Sequence, residues 1–413
     1  MGKIYLYTSL FPFGRVAETF INNELKYVGD SEVVIIPVNK DVYKRGLPSN
    51  VKLDTNICDR DLMQIFQALC GIFTPQILSE IYKSRKTIVK TSYLRNLLKY
   101  LYAANLVYFD IKKRIKMSRE AIFYSYWLSY APIAFALYKS KNKTTSCKFI
   151  SRAHGSDLYS TDVGVYYPLR DFSFHYIDEV YVISSFGIKY LREKYKELDS
   201  KLNLSHLGVE DNTFPRTCDD DEKCCFNIVS CSSVIPIKRV ELIFTSIYTF
   251  AKTHPNIKLK WSHFGDGYLM AELRRVIADN VKLDNFAVEL MGSMDNEKIL
   301  KRYRENRYHC LVNLSESEGV PVSMMEAISS SIPLLGTNVG GTSDIITNET
   351  GKLISSNFEQ IEFDNALSFI LDNYRSLSIS AYHFYLKYYN SRVNYTEFYN
   401  SLRFQTNSNK HKI

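Results

Sequence analysis

Short apolar runs that alternate with helical periodicity constrain this chain more than any other feature. In the first half, "KIYLYTS", "EVVIIPV", "AIFYSYW", "KFISRAHG" and "EVYVIS" read as strands, with helical patterns over Val16–Tyr27 and Tyr130–Lys139 between them. In the second half, "FNIVSCSSV", "KLKWSHFG", "AVELMGS", "YHCLVNLS" and "IPLLGT" read likewise, each followed by a helix or turn. Continuous apolar strands spaced by helices belong to parallel sheets covered on both faces. The predicted fold class is therefore α/β, with doubly wound, Rossmann-like layers. A chain of 413 residues exceeds one ordinary core and suits two domains of about 200 residues each. The acidic, weakly periodic stretch Asp211–Lys223 divides residues 1–208 from 209–390. A late helix over Asn365–Asn390 precedes "SRVNYTEFYNSLRF", and a terminal helix within 391–413 is expected to pack back on the first domain.

Charge is uneven. The chain carries a net +8, yet Lys83 to Arg119 alone holds eleven basic residues against one acid, Asp110. Tyr93, Leu94, Leu97, Leu98, Tyr100, Leu101, Leu106 and Tyr108 lie within the same stretch at helical spacing. Two readings stand: a core-facing helix with a solvated basic side, or a patch that docks on an anionic membrane. No nucleic-acid-binding module accompanies the charge. No run of about 18 apolar residues predicts a transmembrane helix, and the opening "MGKIYLYTSLFPFG" lacks the marks of a signal peptide. The eight scattered cysteines read as reduced thiols of a cytoplasmic protein. Asp219–Asp221 formally contains Asp-x-Asp but falls in the inferred linker, so no metal site is assigned.

The segment with most chemistry is "SESEGVPVSMMEAISSSIPLLGTNVGGTSDII". Tyr308–Ser315 reads as a buried strand and Pro321 as the first turn of a helix running to about Ser331. The loop between them then sits at the carboxyl end of a parallel strand, where open α/β sheets bind ligands. Gly319 lets the backbone approach a ligand, and the N–H groups of Val320, Val322 and Ser323 face an anion at the positive helix end. Glu318 and Glu326 have no basic residue nearby in sequence to pair with. Carboxylates so placed suit the vicinal hydroxyls of a sugar or ribose.

This span resembles the donor-site signature of the retaining glycosyltransferases of family four, which have the GT-B fold of two Rossmann-like domains with a cleft between them. "VIPIKRVELI", "HFGDGYLMAEL" and "ELMGSMDNEKILKRY" agree in order with further segments of that family. In the first half, "TSLFPFGRVAETFINNEL", "YSYWLSYAP", "SRAHGSDLY", "VISSFGIKYLREKY" and "SHLGVE" resemble bacterial polysaccharide-assembly members. The resemblance implies an acceptor-binding first domain and a second domain that binds a UDP- or GDP-sugar, with no cofactor. It implies that Lys238 binds the donor diphosphate, Glu326 the ribose, and Glu318 the hydroxyls of the hexose, beside the backbone of Gly319, Val320, Pro321 and Val322. Ser293 and Met294 would edge the base, Gly14 would let the first loop approach the diphosphate, and His154 would lie near the reacting carbon. The family arginine five residues before the lysine is replaced here by Ser233, which Arg239 or Arg15 could offset.

The implied reaction is retaining hexosyl transfer without a metal, to an acceptor hydroxyl of a lipid-linked glycan, by an enzyme peripheral on the inner membrane face. Two other classes compete: a nucleotide-sugar epimerase, which needs no acceptor, and a non-catalytic GT-B subunit, to which Ser233 lends weight. His206 and His263 are read as structural.

Overall fold

The computed structural model describes residues 3–14, 18–70, 75–83, 91–118, 120–159, 167–213, 225–280 and 283–408. Two compact units emerge. The first comprises the chain up to His206 and again from Tyr395 on; the second is Leu207–Asn394.

The first unit holds a seven-stranded sheet: β1 (Lys3–Thr8), β2 (Val33–Pro37), β3 (Val51–Leu53), β4 (Ala121–Ser125), β5 (Lys148–Ala153), β6 (Glu179–Val182) and β7 (Leu202–Leu204). Its order is β3-β2-β1-β4-β5-β6-β7, every pairing parallel. The period-two alternation sends Tyr5, Tyr7, Phe123 and Phe149 to one face, against the helices Thr91–Met117 and Tyr130–Lys141. It sends Ile4, Leu6, Ile122 and Ile150 to the other, against Ile21 and Leu25 of the helix Ile21–Leu25 and Phe398, Tyr399 and Leu402 of the helix Ser391–Ser408.

In the second unit β8 (Phe226–Cys231), β9 (Leu259–Phe264), β10 (Phe286–Gly292), β11 (Cys310–Asn313), β12 (Leu334–Thr337) and β13 (Gly351–Ile354) form a parallel sheet in the order β10-β9-β8-β11-β12-β13. Ile228, Trp261, Val312 and Leu335 are buried with the helices Val240–Thr253 and Gln360–Asp372. Each sheet reverses its strand order once, between β1 and β4 in the first and between β8 and β11 in the second. Loops at the carboxyl ends of such neighbours part there and leave a crevice.

Several expectations are corrected. The helix expected over Val16–Tyr27 is described only over Ile21–Leu25. The late helix is two, Gln360–Asp372 and Tyr374–Tyr388, broken at Asn373. Within the basic stretch, Leu97, Leu101, Ala104, Val107 and Ile111 of Thr91–Met117 are core residues, so this helix turns an apolar stripe inward. Leu94 and Leu98 of its first turns stay exposed. Arg114 leaves the solvated basic set altogether: it is buried, 2.5 Å from Asp110 and 2.8 Å from Asp54. No helix among the described residues is long and apolar enough to cross a membrane.

Candidate functional site

The crevice of the second unit is built from the loops after β8 and β11. After β8 the chain passes Ser233, forms one 3₁₀ turn over Pro236–Lys238 and reverses at Arg239, whose φ of 46° is left-handed. After β11 it runs through Ser315–Val320 into the helix Val322–Ser329. Pro321 caps that helix and does not enter its first turn: its φ of −65° would suit a helix, but its extended ψ of 126° leaves it outside. Val322 and Ser323 therefore open the helix with N–H groups outside the intrahelical ladder.

Lys238 and Glu318, eighty positions apart in sequence, meet across this crevice with Nζ and Oε1 separated by 2.5 Å. Ser315 Oγ donates to the same oxygen at 2.7 Å and Asn313 Nδ2 at 3.2 Å. The Glu318 side chain is 8% exposed and that of Lys238 24%, so a ligand can reach the ammonium more readily than the carboxylate. The Asn-Val-Gly-Gly loop closes over the same backbone. A Cβ on Gly340 would lie 1.9 Å from the Glu318 carbonyl oxygen, and its φ of 53° suits glycine besides.

Glu326 is buried one turn inside the helix, and Asn296 Nδ2 donates to its Oε1 at 2.7 Å. Burial pushes its carboxyl up to about 7, against the opposing pull of that hydrogen bond. Asn296, which sequence reasoning missed, opens the helix Asn296–Glu305 just after Ser293 and Met294. The Arg239 guanidinium donates to the carbonyls of Leu314, Ser315 and Ser356, the last at 3.0 Å, and so braces the strand ends. Ser233 is exposed, and its carbonyl accepts from Ile235 N. Arg15 and the Asp219–Asp221 run lie outside the described residues.

In the first unit the crevice lies between the loops after β1 and β4. His154 follows β5 and is 5% exposed. Its ring packs 4.6 Å from that of Trp127, 5.0 Å from Tyr126 and 5.8 Å from Phe20, centroid to centroid. Neither ring nitrogen has a hydrogen-bond partner among the described residues. Burial, and secondarily the Arg152 charge, lower its pKa to about 3, so the ring is neutral at ordinary pH. A buried histidine satisfied by backbone was the competing reading, and the geometry does not supply that partner.

Glu18 was missed altogether. Its carboxylate accepts from Ser9 N at 3.0 Å, Leu10 N at 2.7 Å, Phe11 N at 2.6 Å and Trp127 Nε1. One side chain thus fixes the loop after β1 and the tryptophan that packs on His154. An isolated acid before the aromatic Phe20 in "AETF" was the available signal. Gly14 in that loop has a φ of 79° and donates to the Tyr43 carbonyl at 2.9 Å. His206 and His263 are held by Ile183 O and Ser230 Oγ respectively.

Residues 226–373 match the family described as glycosyl transferases group 1. The chain is 29% identical over 135 residues, 32% of its length, to the UDP-N-acetylglucosamine–peptide N-acetylglucosaminyltransferase GtfA subunit of Streptococcus agalactiae. It is 27% identical over 139 residues, 33% of its length, to the GtfA subunit of Streptococcus pneumoniae serotype 4. These matches span 25% and 26% of the relatives' own lengths. Among solved structures, the lipopolysaccharide outer core galactosyltransferase WaaB superposes with a TM-score of 0.68 at 15% identity, covering 98% of this chain and 99% of that one. A glycosyltransferase from Rickettsia africae gives 0.65 at 15%, covering 97% and 98%. HepE of Anabaena in complex with UDP gives 0.63 at 11%, covering 98% and 100%. The chain thus has the two-domain α/β fold of the GT-B glycosyltransferases, and its second unit matches the group 1 family from Phe226 to Asn373.

Proposed function

We propose that this protein is a retaining glycosyltransferase that moves a hexose from a uridine-diphosphate sugar to an acceptor hydroxyl. The observation that carries this reading is the Lys238–Glu318 pair at the reversal point of the second sheet, beside the amino end of Val322–Ser329. A departing diphosphate gains negative charge, and a lysine with free helix N–H groups is the arrangement that stabilises it. As the diphosphate engages Lys238, Glu318 exchanges its ammonium partner for sugar hydroxyls. The neutral ring of His154 keeps one N–H to donate to a hydroxyl without adding charge. Uridine is favoured over guanosine by the UDP held in the HepE structure and by the UDP-sugar in the names of the GtfA relatives. These residues supply the charge compensation themselves, so the proposed transfer is metal-independent.

Nucleotide recognition through Glu326 is tested by calorimetry with UDP and GDP. The fold raises the Glu326 pKa to about 7, above its unfolded value, so the proton is retained until the pH passes that point. Ribose hydroxyls donate to the ionised form. UDP affinity is therefore expected to rise about tenfold from roughly pH 6 to 8, as the ionised fraction does. Glu326→Gln should flatten the profile, and failure of both nucleotides to bind overturns the assignment.

Transfer is assigned to front-face attack, in which the leaving phosphate accepts the acceptor's proton. Glu318→Gln is then expected to slow turnover about tenfold or more without trapping a sugar on the protein. Mass-spectrometric capture of a glycosylated Glu318 would exclude this route.

The acceptor proposed is a lipid-linked glycan at the cytoplasmic membrane face, in cell-surface polysaccharide synthesis. A second reading, a protein hydroxyl, is favoured by the peptide acceptor in the names of the GtfA relatives. Product analysis with each acceptor class separates them.

A further inference from the structure

The first unit encloses a cavity of about 150 Å³ that no step of the proposed reaction uses. It lies between the segment after β3, the helix Leu62–Cys70 and the helix Thr91–Met117. None of its lining comes from the loops after β1 and β4, so it is separate from the crevice that holds His154. Ile57 and Leu106, both buried, give it an apolar wall, and Phe109 adds an aromatic ring. The rest of the lining is polar: Asn56, Gln64, Gln67, Asp110 and Lys113. Sites for drug-sized ligands run to about 300–1,000 Å³, so this one suits a single small ring.

The protein leaves much of this polar capacity unused. The side-chain amides of Asn56 and Gln67 make no hydrogen bond among the described residues. Gln64 accepts from Asp61 N through Oε1 at 2.9 Å, which leaves its Nε2 to donate. Asp110 is 9% exposed, and its Oδ2 accepts from the Tyr7 hydroxyl at 2.8 Å and from Arg114 Nε at 2.5 Å. Its Oδ1 remains to accept.

Charge selects the class of occupant. Asp54 and Asp110 face Arg114 and Lys113, Asp59 pairs with Lys40, and Asp61 adjoins Arg60. The signs balance, so neither a phosphate nor a metal ion meets the excess of opposite charge that would hold it. An uncharged ring of hydroxyls fits what is present. Hydroxyls both donate and accept, as the amides do, and the C–H face of such a ring can lie on Phe109.

We propose that this cavity is a monosaccharide subsite, in which Asn56, Gln67 and Phe109 hold one uncharged pyranose ring and Asp110 Oδ1 accepts from one of its hydroxyls. Its one link to the crevice is Tyr7 of β1, whose hydroxyl reaches Asp110. The ring bound here is therefore not the one transferred; it is a remote unit of the glycan acceptor. Only that last identification rests on the proposed function, and sugar binding is measurable without turnover.

The test is saturation-transfer NMR on the full chain with glucose, galactose, mannose and N-acetylglucosamine at millimolar concentration. At least one of the four should take up saturation. Gln67→Ala should weaken that sugar roughly three- to tenfold, the effect of one lost hydrogen bond. Adding Phe109→Leu, which keeps apolar volume but removes the ring, should erase the signal. The thermal midpoint and UDP binding should stay unchanged in both variants. Glu318→Gln should leave the signal in place, because the donor crevice is a different site. No saturation of any of the four sugars, or a signal that survives the double variant, overturns the proposal. A signal lost in Glu318→Gln overturns it too, since the sugar then sits in the crevice. A disaccharide that binds at least as well as its parent monosaccharide supports a glycan chain as the source, whereas its exclusion marks a free sugar and overturns the acceptor assignment. Absence of UDP binding in a chain that still binds the sugar would sink the proposed reaction and leave the subsite intact.

Discussion

Lys238→Ala is expected to lower donor-dependent turnover by about 10²–10³-fold, the usual cost of removing one preorganised group that stabilises charge developing in the transition state. The geometry makes this a clean substitution. Lys238 is partly exposed on a single 3₁₀ turn and packs no core. When it is removed, Glu318 keeps its bonds from Ser315 and Asn313, so the loop after β11 retains its shape. Charge on the diphosphate grows as the sugar departs, so the loss should fall mainly on kcat, with a smaller rise in KM. Lys238→Arg should restore part of the activity, because charge is kept while the donor geometry changes. The measurement is steady-state release of UDP from the sugar nucleotide that binds. Unchanged kcat in Lys238→Ala would mean that the diphosphate is held elsewhere. Arg239 is a poor substitute, with its guanidinium committed to three carbonyls.

Arg152→Met is expected to destabilise the first unit by about 3–5 kcal/mol, the range seen when one partner of a buried ion pair is deleted. Arg152 and Glu24 are both fully buried and 3.2 Å apart. Tyr124 donates to Glu24 at 3.0 Å and Tyr399 at 3.3 Å, while Arg152 Nε donates to the Tyr124 hydroxyl at 2.9 Å. Burial already raises the Glu24 carboxyl above its ordinary value, against the pull of Arg152. Without the guanidinium that carboxylate must take up a proton or open to water. The double variant Arg152→Met with Glu24→Gln should cost less than Arg152→Met alone, because no uncompensated charge remains. Chemical denaturation followed by tryptophan fluorescence reads the difference, since Trp127 belongs to this unit. Because Tyr399 lies on the helix Ser391–Ser408, limited proteolysis should also release the carboxyl terminus sooner. A loss below about 1 kcal/mol would show that the pair sits in water and not in the core.

Much of the architecture was legible in the sequence because buried parallel strands must be apolar along their whole length. Phe226–Cys231, Leu259–Phe264 and Ala121–Ser125 stand out for that reason. Three short strands escaped: "VKL" at β3, "LNL" at β7 and "GKLI" at β13. Each is an edge strand, half solvated, and carries too few apolar residues to announce itself. The break at Asn373 escaped because helical periodicity runs on through it.

The sequence alone determined which local chemistry was available: a glycine-proline turn into a helix, a lysine in another turn, two acids, and a histidine after a strand. It could not determine which of these groups meet. Lys238 finds Glu318 only because β8 and β11 are neighbours at the sheet's reversal point. Glu18 reaches Trp127 only because β1 lies beside β4. Arg239 spends its donors on carbonyls brought close by the same packing. Local patterning follows from torsional preference and burial, both read within a few residues. Partnership follows from strand order, set by the packing of the whole layer.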